Sequence, residues 1–259
     1  MKMTKNEIIQ KIIEKKEFSK LPKKDVELAF SHFEKKFVSD KEKIRLTRDL
    51  LHRVFGAFGS RKLLNIKNKE FEWILSKHLS TRERLLFYKE IYKRILKGVN
   101  KKTSVVDLGS GVNGFSYFYF KKIGFDVNYT AIEAIGQFVD LMNFYFIKKK
   151  IKAKAIHLSL FELANLKKII LKEQKPRIIL LLKTLDSLEM LQKNYSKKLI
   201  SELSELSNRI VVSFATESMI KRKRFRSQRK WFENFIKENF RIIDDFEISG
   251  ERFIVFEKR

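Results

Sequence analysis

Val105-Val106-Asp107-Leu108-Gly109-Ser110-Gly111 is the stretch that decides the fold. A short apolar run ending in an acidic residue and a Gly-x-Gly turn reads as a buried strand. Its glycines let a ligand approach the backbone without a Cβ in the way. The third glycine of a dinucleotide fingerprint is not in its place, because the run continues Val112-Asn113-Gly114-Phe115. A pyrophosphate therefore has no strong claim to this turn. Taken alone, Gly-x-Gly also reads as a tight structural turn.

Outward from this run, short apolar segments alternate with helical stretches from Lys101 onward, the pattern of βα units on a parallel sheet. The pattern predicts strands over 104–108, 127–132, 153–157, 177–182 and 209–213. After a basic stretch near residue 225 and a helix through Trp231, Phe232 and Phe235, two last strands over 240–248 and 252–256 flank Ser249-Gly250. That spacing predicts a hairpin, with the last strand antiparallel to the others. Five βα units closed by a hairpin give an α/β fold with the order of a Rossmann-like class I methyltransferase sheet rather than a dinucleotide dehydrogenase. The second strand ends in Ile132-Glu133-Ala134, where a carboxylate can accept hydrogen bonds from both hydroxyls of an unphosphorylated ribose. Glu133 also reads as a helix-start carboxylate. Together the two strands suit adenosine with an amino-acid tail.

The first hundred residues read as helices. Ile8, Ile9, Ile12 and Ile13 form one apolar face, and Thr4 with Glu7, Ser39 with Glu42 and Ser80 with Glu83 have capping-box spacing. Pro22 punctuates the first connection, Gly56 and Gly59 weaken the helix through Leu50, Leu51, Val54 and Phe55, and a further helix carries Phe71, Trp73, Ile74 and Leu75. The expected organisation is an all-α domain over 1–76 and a catalytic α/β domain over 77–259. Removing residues 1–70 is expected to spare small-molecule binding.

The 259 residues are 44% hydrophobic and carry 57 Lys and Arg against 31 acidic residues, a formal charge of +26. So large an excess repels itself unless a polyanion is the usual companion, and nucleic acid fits best. A solvated Lys-rich surface and an anionic membrane surface are the rival readings. The absence of cysteine excludes disulfides, Cys-ligated metals and thiol nucleophiles. His32, His52, His78 and His157 form no helix-face pair, so no metal is expected. The longest apolar runs, such as 178–182, are far short of a membrane span, and the Lys-rich start leads into an amphipathic helix. A cytoplasmic monomer is expected.

His78-Leu79-Ser80-Thr81-Arg82-Glu83-Arg84-Leu85, followed by Tyr88 and Tyr92, resembles the hallmark segment of the aminoglycoside-resistance ribosomal RNA methyltransferases, the FmrO-like family. The resemblance continues through Ile179-Leu180-Leu181-Leu182-Lys183-Thr184-Leu185, Val211-Val212-Ser213-Phe214 and Trp231-Phe232-Glu233, covering roughly 70–259. It implies S-adenosylmethionine as cofactor and ribosomal RNA or the small ribosomal subunit as partner, docked by the N-terminal helices. It also implies N7 methylation of a guanine in the decoding region. The arginines of the hallmark are expected beside the cofactor, Arg84 first and Arg82 second, where a guanidinium can clamp the methionine carboxylate. His78, Asp107, Gly109, Ser110, Gly111, Glu133, Ala134, Ser159, Leu160 and Lys183 complete the expected cofactor set. The chain departs from the family at Ala215-Thr216-Glu217, in place of a proline and a basic residue, and at Lys221-Arg222-Lys223-Arg224-Phe225-Arg226, in place of a Gly-rich loop.

Cysteine-adduct chemistry at pyrimidine C5 is closed to a cysteine-free chain. The acidic or amide residue followed by two prolines, usual for exocyclic-amine methylation, is also missing, since Pro22 and Pro176 are the only prolines. Guanine N7 needs no base, because its lone pair is already nucleophilic and alignment can supply much of the effect. No catalytic acid or base is therefore expected. Lys183 could position the base or neutralise a phosphate, or be a snorkelling surface lysine. Ser213 could line the base pocket or be a routine strand-end hydroxyl. Lys221, Arg222, Lys223, Arg224, Phe225, Arg226 and Arg229 form the candidate RNA contact, with a solvated basic loop as the alternative. The competing functions are methylation of another RNA such as transfer RNA, and non-catalytic RNA binding or ribosome assembly on the same fold.

Overall fold

The computed structural model describes residues 3–56, 70–216 and 230–259. Seven strands form one sheet in the order β3-β2-β1-β4-β5-β7-β6. They are β1 (Lys102–Leu108), β2 (Asp126–Glu133), β3 (Ala153–His157), β4 (Arg177–Leu182), β5 (Arg209–Ala215), β6 (Phe240–Ile248) and β7 (Glu251–Lys258). Strands β1 to β5 pair in parallel, and β7 runs antiparallel to both β5 and β6. The β6–β7 turn places Ser249 at φ 51 and Gly250 at φ 72. Two successive left-handed residues are what a two-residue hairpin needs to match strand twist.

Alternation along the strands assigns residues to two cores. Val105, Ile178, Leu180, Val211, Phe253 and Val255 face one layer, and Val106, Ile179, Leu181, Val212, Ile254 and Phe256 face the other. Burial on both faces explains why the central strands read as unbroken apolar runs. The second layer contains helices α9 (Leu163–Lys172), α10 (Leu185–Leu191), α11 (Tyr195–Ser204) and α12 (Lys230–Asn239). In α12, Phe232 is buried while Trp231 is exposed.

The first layer contains α6 (Tyr88–Ile95), α7 (Tyr117–Lys122) and α8 (Gly136–Lys148), together with the N-terminal helices α1 (Lys5–Ile13), α2 (Lys23–Ser31) and α3 (Asp40–Leu51). Ile8, Phe18, Val26, Phe30 and Leu51 share one continuous core with Phe138, Val139 and Leu191. Polar contacts tie the same parts together. The Gly136 N–H donates to Lys20 O at 3.1 Å, Gln137 Nε2 to Lys16 O at 3.1 Å, and His32 Nε2 lies 2.9 Å from Leu191 O. The helical region is thus packed onto the α/β layer.

Local signals hold to different degrees. Thr4 and Glu7 form the full capping box, whereas Ser39 caps α3 without a return bond from Glu42, which pairs with Arg45 instead. The expected Ser80–Glu83 cap does not form. Short helix α5 (Leu79–Arg84) begins at extended His78, and the buried Ser80 hydroxyl sits 3.2 Å from His78 Nδ1. Glu83 is drawn off to Lys183, so tertiary contacts override the local spacing. Helix α3 ends at Leu51 and passes into a π-helical turn over His52–Gly56, while α4 (Phe71–Lys77) carries Ile74 and Leu75 into the core.

Candidate active site

A cleft open to solvent at its mouth, about 810 Å³ with that open space counted, lies at the carboxyl ends of β1, β2 and β4. That is where ligands bind in open α/β sheets. Of the residues expected from the sequence, His78, Arg84, Asp107, Gly109, Ser110, Gly111, Glu133, Ala134, Leu160 and Lys183 line it. Arg82 is exposed and does not line it. Ser159 and Ser213 are buried just behind the wall. Lys221, Arg222, Lys223, Arg224, Phe225, Arg226 and Arg229 lie outside the described residues.

The floor is the β1 turn. Gly109 has φ +65 and Gly111 φ +56, the left-handed region that disfavours a side chain. A Cβ at Gly109 would come within 2.6 Å of Thr184 Cγ2, and one at Gly111 within 2.8 Å of His78 Nε2. Both positions therefore require glycine on conformational and steric grounds. Beneath the turn, Asp107 accepts a hydrogen bond from Asn113 Nδ2 at 2.7 Å and one from the Tyr129 hydroxyl, and Tyr88 donates to Asn113 Oδ1 at 2.7 Å. Burial pushes the Asp107 carboxyl up, against these two donors.

Glu133 is the side wall. Its carboxylate accepts from Gly111 N at 2.7 Å and Ile135 N at 2.8 Å, while burial raises its pKa. A carboxylate has about four lone-pair directions, so two protein donors leave capacity for a ribose diol. His78 is held neutral. Burial first, then the nearby Arg84 and Lys183 charges, lower its pKa to about 3. The Ser110 hydroxyl and Asp25 Oδ2 are buried without a partner among the described residues. Asp25 belongs to α2, and Val54 and Phe55 of the π turn line the same cleft. The sequence carried no local signal for these three positions.

At the other end sits a buried charge cluster. Arg84 Nε donates to Glu251 Oε2 at 2.9 Å and Nη2 to Oε1 at 2.8 Å, with the two side chains 3% and 1% exposed. Lys183 pairs with Glu83 and lies 3.4 Å from Glu251 Oε2. Ser213 donates its hydroxyl to Glu251 and accepts the Lys183 N–H at 3.0 Å. The four formal charges cancel, which is how such a group is tolerated out of water. Arg84 Nη1 takes no partner among the described residues. The Lys183 side chain is 6% exposed and its φ is +57, so the surface-lysine reading does not hold. Ser213 faces this cluster rather than the cleft.

The parts fit an S-adenosyl ligand. Left-handed glycines make the floor, a carboxylate with spare acceptor capacity stands beside them, a guanidinium edge faces the opposite end, and two orphaned buried polar atoms await partners. Among the described residues no cluster of three His, Cys, Asp or Glu could hold a metal ion, and no helix is long and apolar enough to cross a membrane.

Known proteins resemble this chain in sequence and in fold. A 16S rRNA (guanine(1405)-N(7))-methyltransferase of Micromonospora rosea is 26% identical over 235 residues, covering 83% of this chain and 82% of that one. A protein of the same description from Proteus mirabilis is 36% identical over 77 residues, a match that spans 27% of either chain. In fold, the chain superposes on the 16S rRNA methyltransferase RmtF, solved in complex with S-adenosyl-L-homocysteine, with TM-score 0.79, 20% identity and coverage of 99% and 100%. The 16S rRNA methylase RmtB gives TM-score 0.77 at 21% identity with full coverage of both chains. The family model described as ribosomal RNA methyltransferase (FmrO) matches residues 50–256, and the chain belongs to that family.

Proposed function

We propose that this chain binds S-adenosylmethionine in the cleft and methylates N7 of a guanine in small-subunit ribosomal RNA. The observation that carries the reading is the cleft itself, on which Gly109, Gly111, Glu133 and Arg84 converge. The bound cofactor supplies an electrophilic methyl group on a sulfonium sulfur. Glu133 orients the ribose through its free acceptor directions, and Arg84 Nη1 holds the methionine carboxylate while Nε and Nη2 stay on Glu251. Lys183 is fixed at the end of β4, beside the mouth, where Glu83 and Glu251 answer its charge and it helps hold the Arg84–Glu251 pair in place. None of these groups needs to remove a proton, since guanine N7 attacks through a free lone pair, and alignment supplies the rate. Residues 1–76 serve as the docking region, 77–259 carry the chemistry, and residues 221–229 contact phosphate.

Incubating the purified chain with small ribosomal subunits and S-adenosylmethionine, then mapping methylated nucleotides by mass and by strand cleavage at N7-methylguanine, tests the proposal. One modified guanine in the decoding region is expected. Methylation of transfer RNA alone, or cofactor binding without transfer to any RNA, would overturn it.

A further inference from the structure

Asp25 is the one carboxylate of the cleft that comes from the N-terminal helices, and nothing in the fold uses it fully. It is 2% exposed, lines the cleft, and its Oδ2 has no hydrogen-bond partner among the described residues. Its neighbour is Ser159, just past the end of β3, whose hydroxyl accepts Phe161 N at 3.1 Å and works against the rise that burial imposes on the Asp25 carboxyl pKa. A place in the first turn of α2 gives this carboxylate a local electrostatic role. That role does not require burial in a cleft wall. An exposed carboxylate there would gain the same helix-end attraction without losing its water.

Sheet order says what Asp25 faces. The strands run β3-β2-β1-β4, with the β1 turn as the floor and Glu133 at the end of β2. If Glu133 holds the ribose and Arg84, toward β4 and β5, holds the amino-acid tail, the base must extend the other way, past β2 toward β3. Leu160 and Phe161 provide apolar walls there, and Asp25 is the polar group among them. An adenine presents an exocyclic amino group, a donor that suits an acceptor-only carboxylate.

Resting on the cofactor reading above, we propose that Asp25 accepts the 6-amino group of the cofactor's adenine, so that the N-terminal helices supply the base-specificity residue of the site. The cost is paid in the ligand-free chain: burial, and then the Glu133 and Glu162 carboxylates working against the Ser159 hydroxyl, push the Asp25 carboxyl up to about 7. A group held so unfavourably without ligand is what a specificity residue looks like before its partner arrives.

A double-mutant cycle between protein and ligand tests this. Calorimetry with the full chain measures S-adenosylhomocysteine and its analogue lacking only the 6-amino group, each against the parent chain and Asp25→Ala. Deleting either the carboxylate or the amino group is expected to weaken binding by roughly 10- to 100-fold, as for a charge-assisted hydrogen bond. Deleting both should cost about as much as deleting one, because the two changes remove the same interaction. The thermal midpoint of ligand-free Asp25→Ala should equal or exceed the parent's, since the change removes a buried carboxylate with an orphaned oxygen. Equal weakening of both ligands by Asp25→Ala, together with a lower ligand-free midpoint, would mark Asp25 as structural and overturn the proposal. Unchanged binding of S-adenosylhomocysteine by Asp25→Ala, with Glu133→Ala still weakening it, would overturn this inference alone. Failure of the parent chain to bind S-adenosylhomocysteine would overturn the cofactor reading with it.

Discussion

Removing the Glu251 carboxylate tests whether the charge cluster beside the cleft is a unit. In the parent chain its two oxygens take both bonds of the Arg84 fork and the Ser213 hydroxyl, and Oε2 lies 3.4 Å from Lys183 Nζ. Glu251→Ala leaves Arg84, 3% exposed, with no carboxylate hydrogen-bonded to it. Breaking a buried pair in this way costs about 3 to 5 kcal/mol, most of it the uncompensated charge rather than the value of the bond. For a chain of this size each kcal/mol moves the thermal midpoint by about 2 to 4 °C, so a fall of roughly 6 to 20 °C is expected by circular dichroism at neutral pH. Glu251→Gln, which keeps an acceptor and loses the charge, should fall between. Replacing both partners, Arg84→Met with Glu251→Leu, removes the orphan and should recover most of the loss, because apolar pairs of similar volume often match a buried ion pair. The recovered protein should still bind S-adenosylhomocysteine poorly, since its carboxylate clamp is gone. A Glu251→Ala protein within about 1 kcal/mol of the parent, or a double variant no more stable than Glu251→Ala, would refute the reasoning.

Other consequences can be measured separately. Glu133→Ala should weaken S-adenosylhomocysteine by about 1.5 to 3 kcal/mol in calorimetry, the worth of a hydrogen bond to a charged group; binding equal to the parent's would mean the ribose lies elsewhere. His78 has a folded pKa of about 3 against 6.5 in the unfolded chain, so its contribution is fully present above pH 6.5 and is lost as pH falls toward 3. Urea titrations should lose about 1.4 kcal/mol per pH unit from this group across that window, and His78→Gln should remove that slope. Changing Lys221, Arg222, Lys223 and Arg224 to Ala should flatten the logarithmic salt dependence of RNA binding by roughly 3 units, at about 0.7 to 0.9 per phosphate contact, with cofactor affinity unchanged. An unaltered slope would reduce that run to a solvated loop.

The sheet was legible because its information is local and redundant. β4 and the centres of β1 and β5 are apolar runs long enough to be strands and too short for separate helices, β2 and β3 follow them at βα spacing, and Ser249-Gly250 fixes the hairpin. The site was legible only where one short motif builds it. Gly109, Gly111 and Glu133 sit at strand ends, and strand ends are where an open sheet binds ligands. Arg82 and Arg84 show the limit. Two positions on a helix are about 200° apart, so only one can face the sheet, and composition does not say which. The structure turns Arg84 inward because Glu251, 167 residues later, is there to meet it. Ser80 and Glu83 satisfy a capping rule on paper, yet His78 and Lys183 claim their side chains. Asp25 was invisible for the same reason as Glu251. Its neighbour Ser159 is far along the chain, and nothing in its own stretch of sequence distinguishes it from an ordinary first-turn carboxylate.

The same long-range packing alters the expected relation between the two parts of the chain. Their sequences suggest a helical appendage that could be removed at residue 70 without touching the cofactor. In the structure such a cut would take Asp25, Val54 and Phe55 out of the cleft wall and strip the covering helices from Ile135, Phe138 and Leu191. Each large apolar side chain so uncovered forfeits on the order of 1.5 to 3 kcal/mol if its burial is wholly lost. A few of them would use up the stability margin of an ordinary domain. The N-terminal helices are therefore also part of the wall of the cleft. On the proposed adenine contact, anything that shifts α2 would change the affinity of the cleft for its ligand, and ligand binding would favour one position of α2 to the same extent.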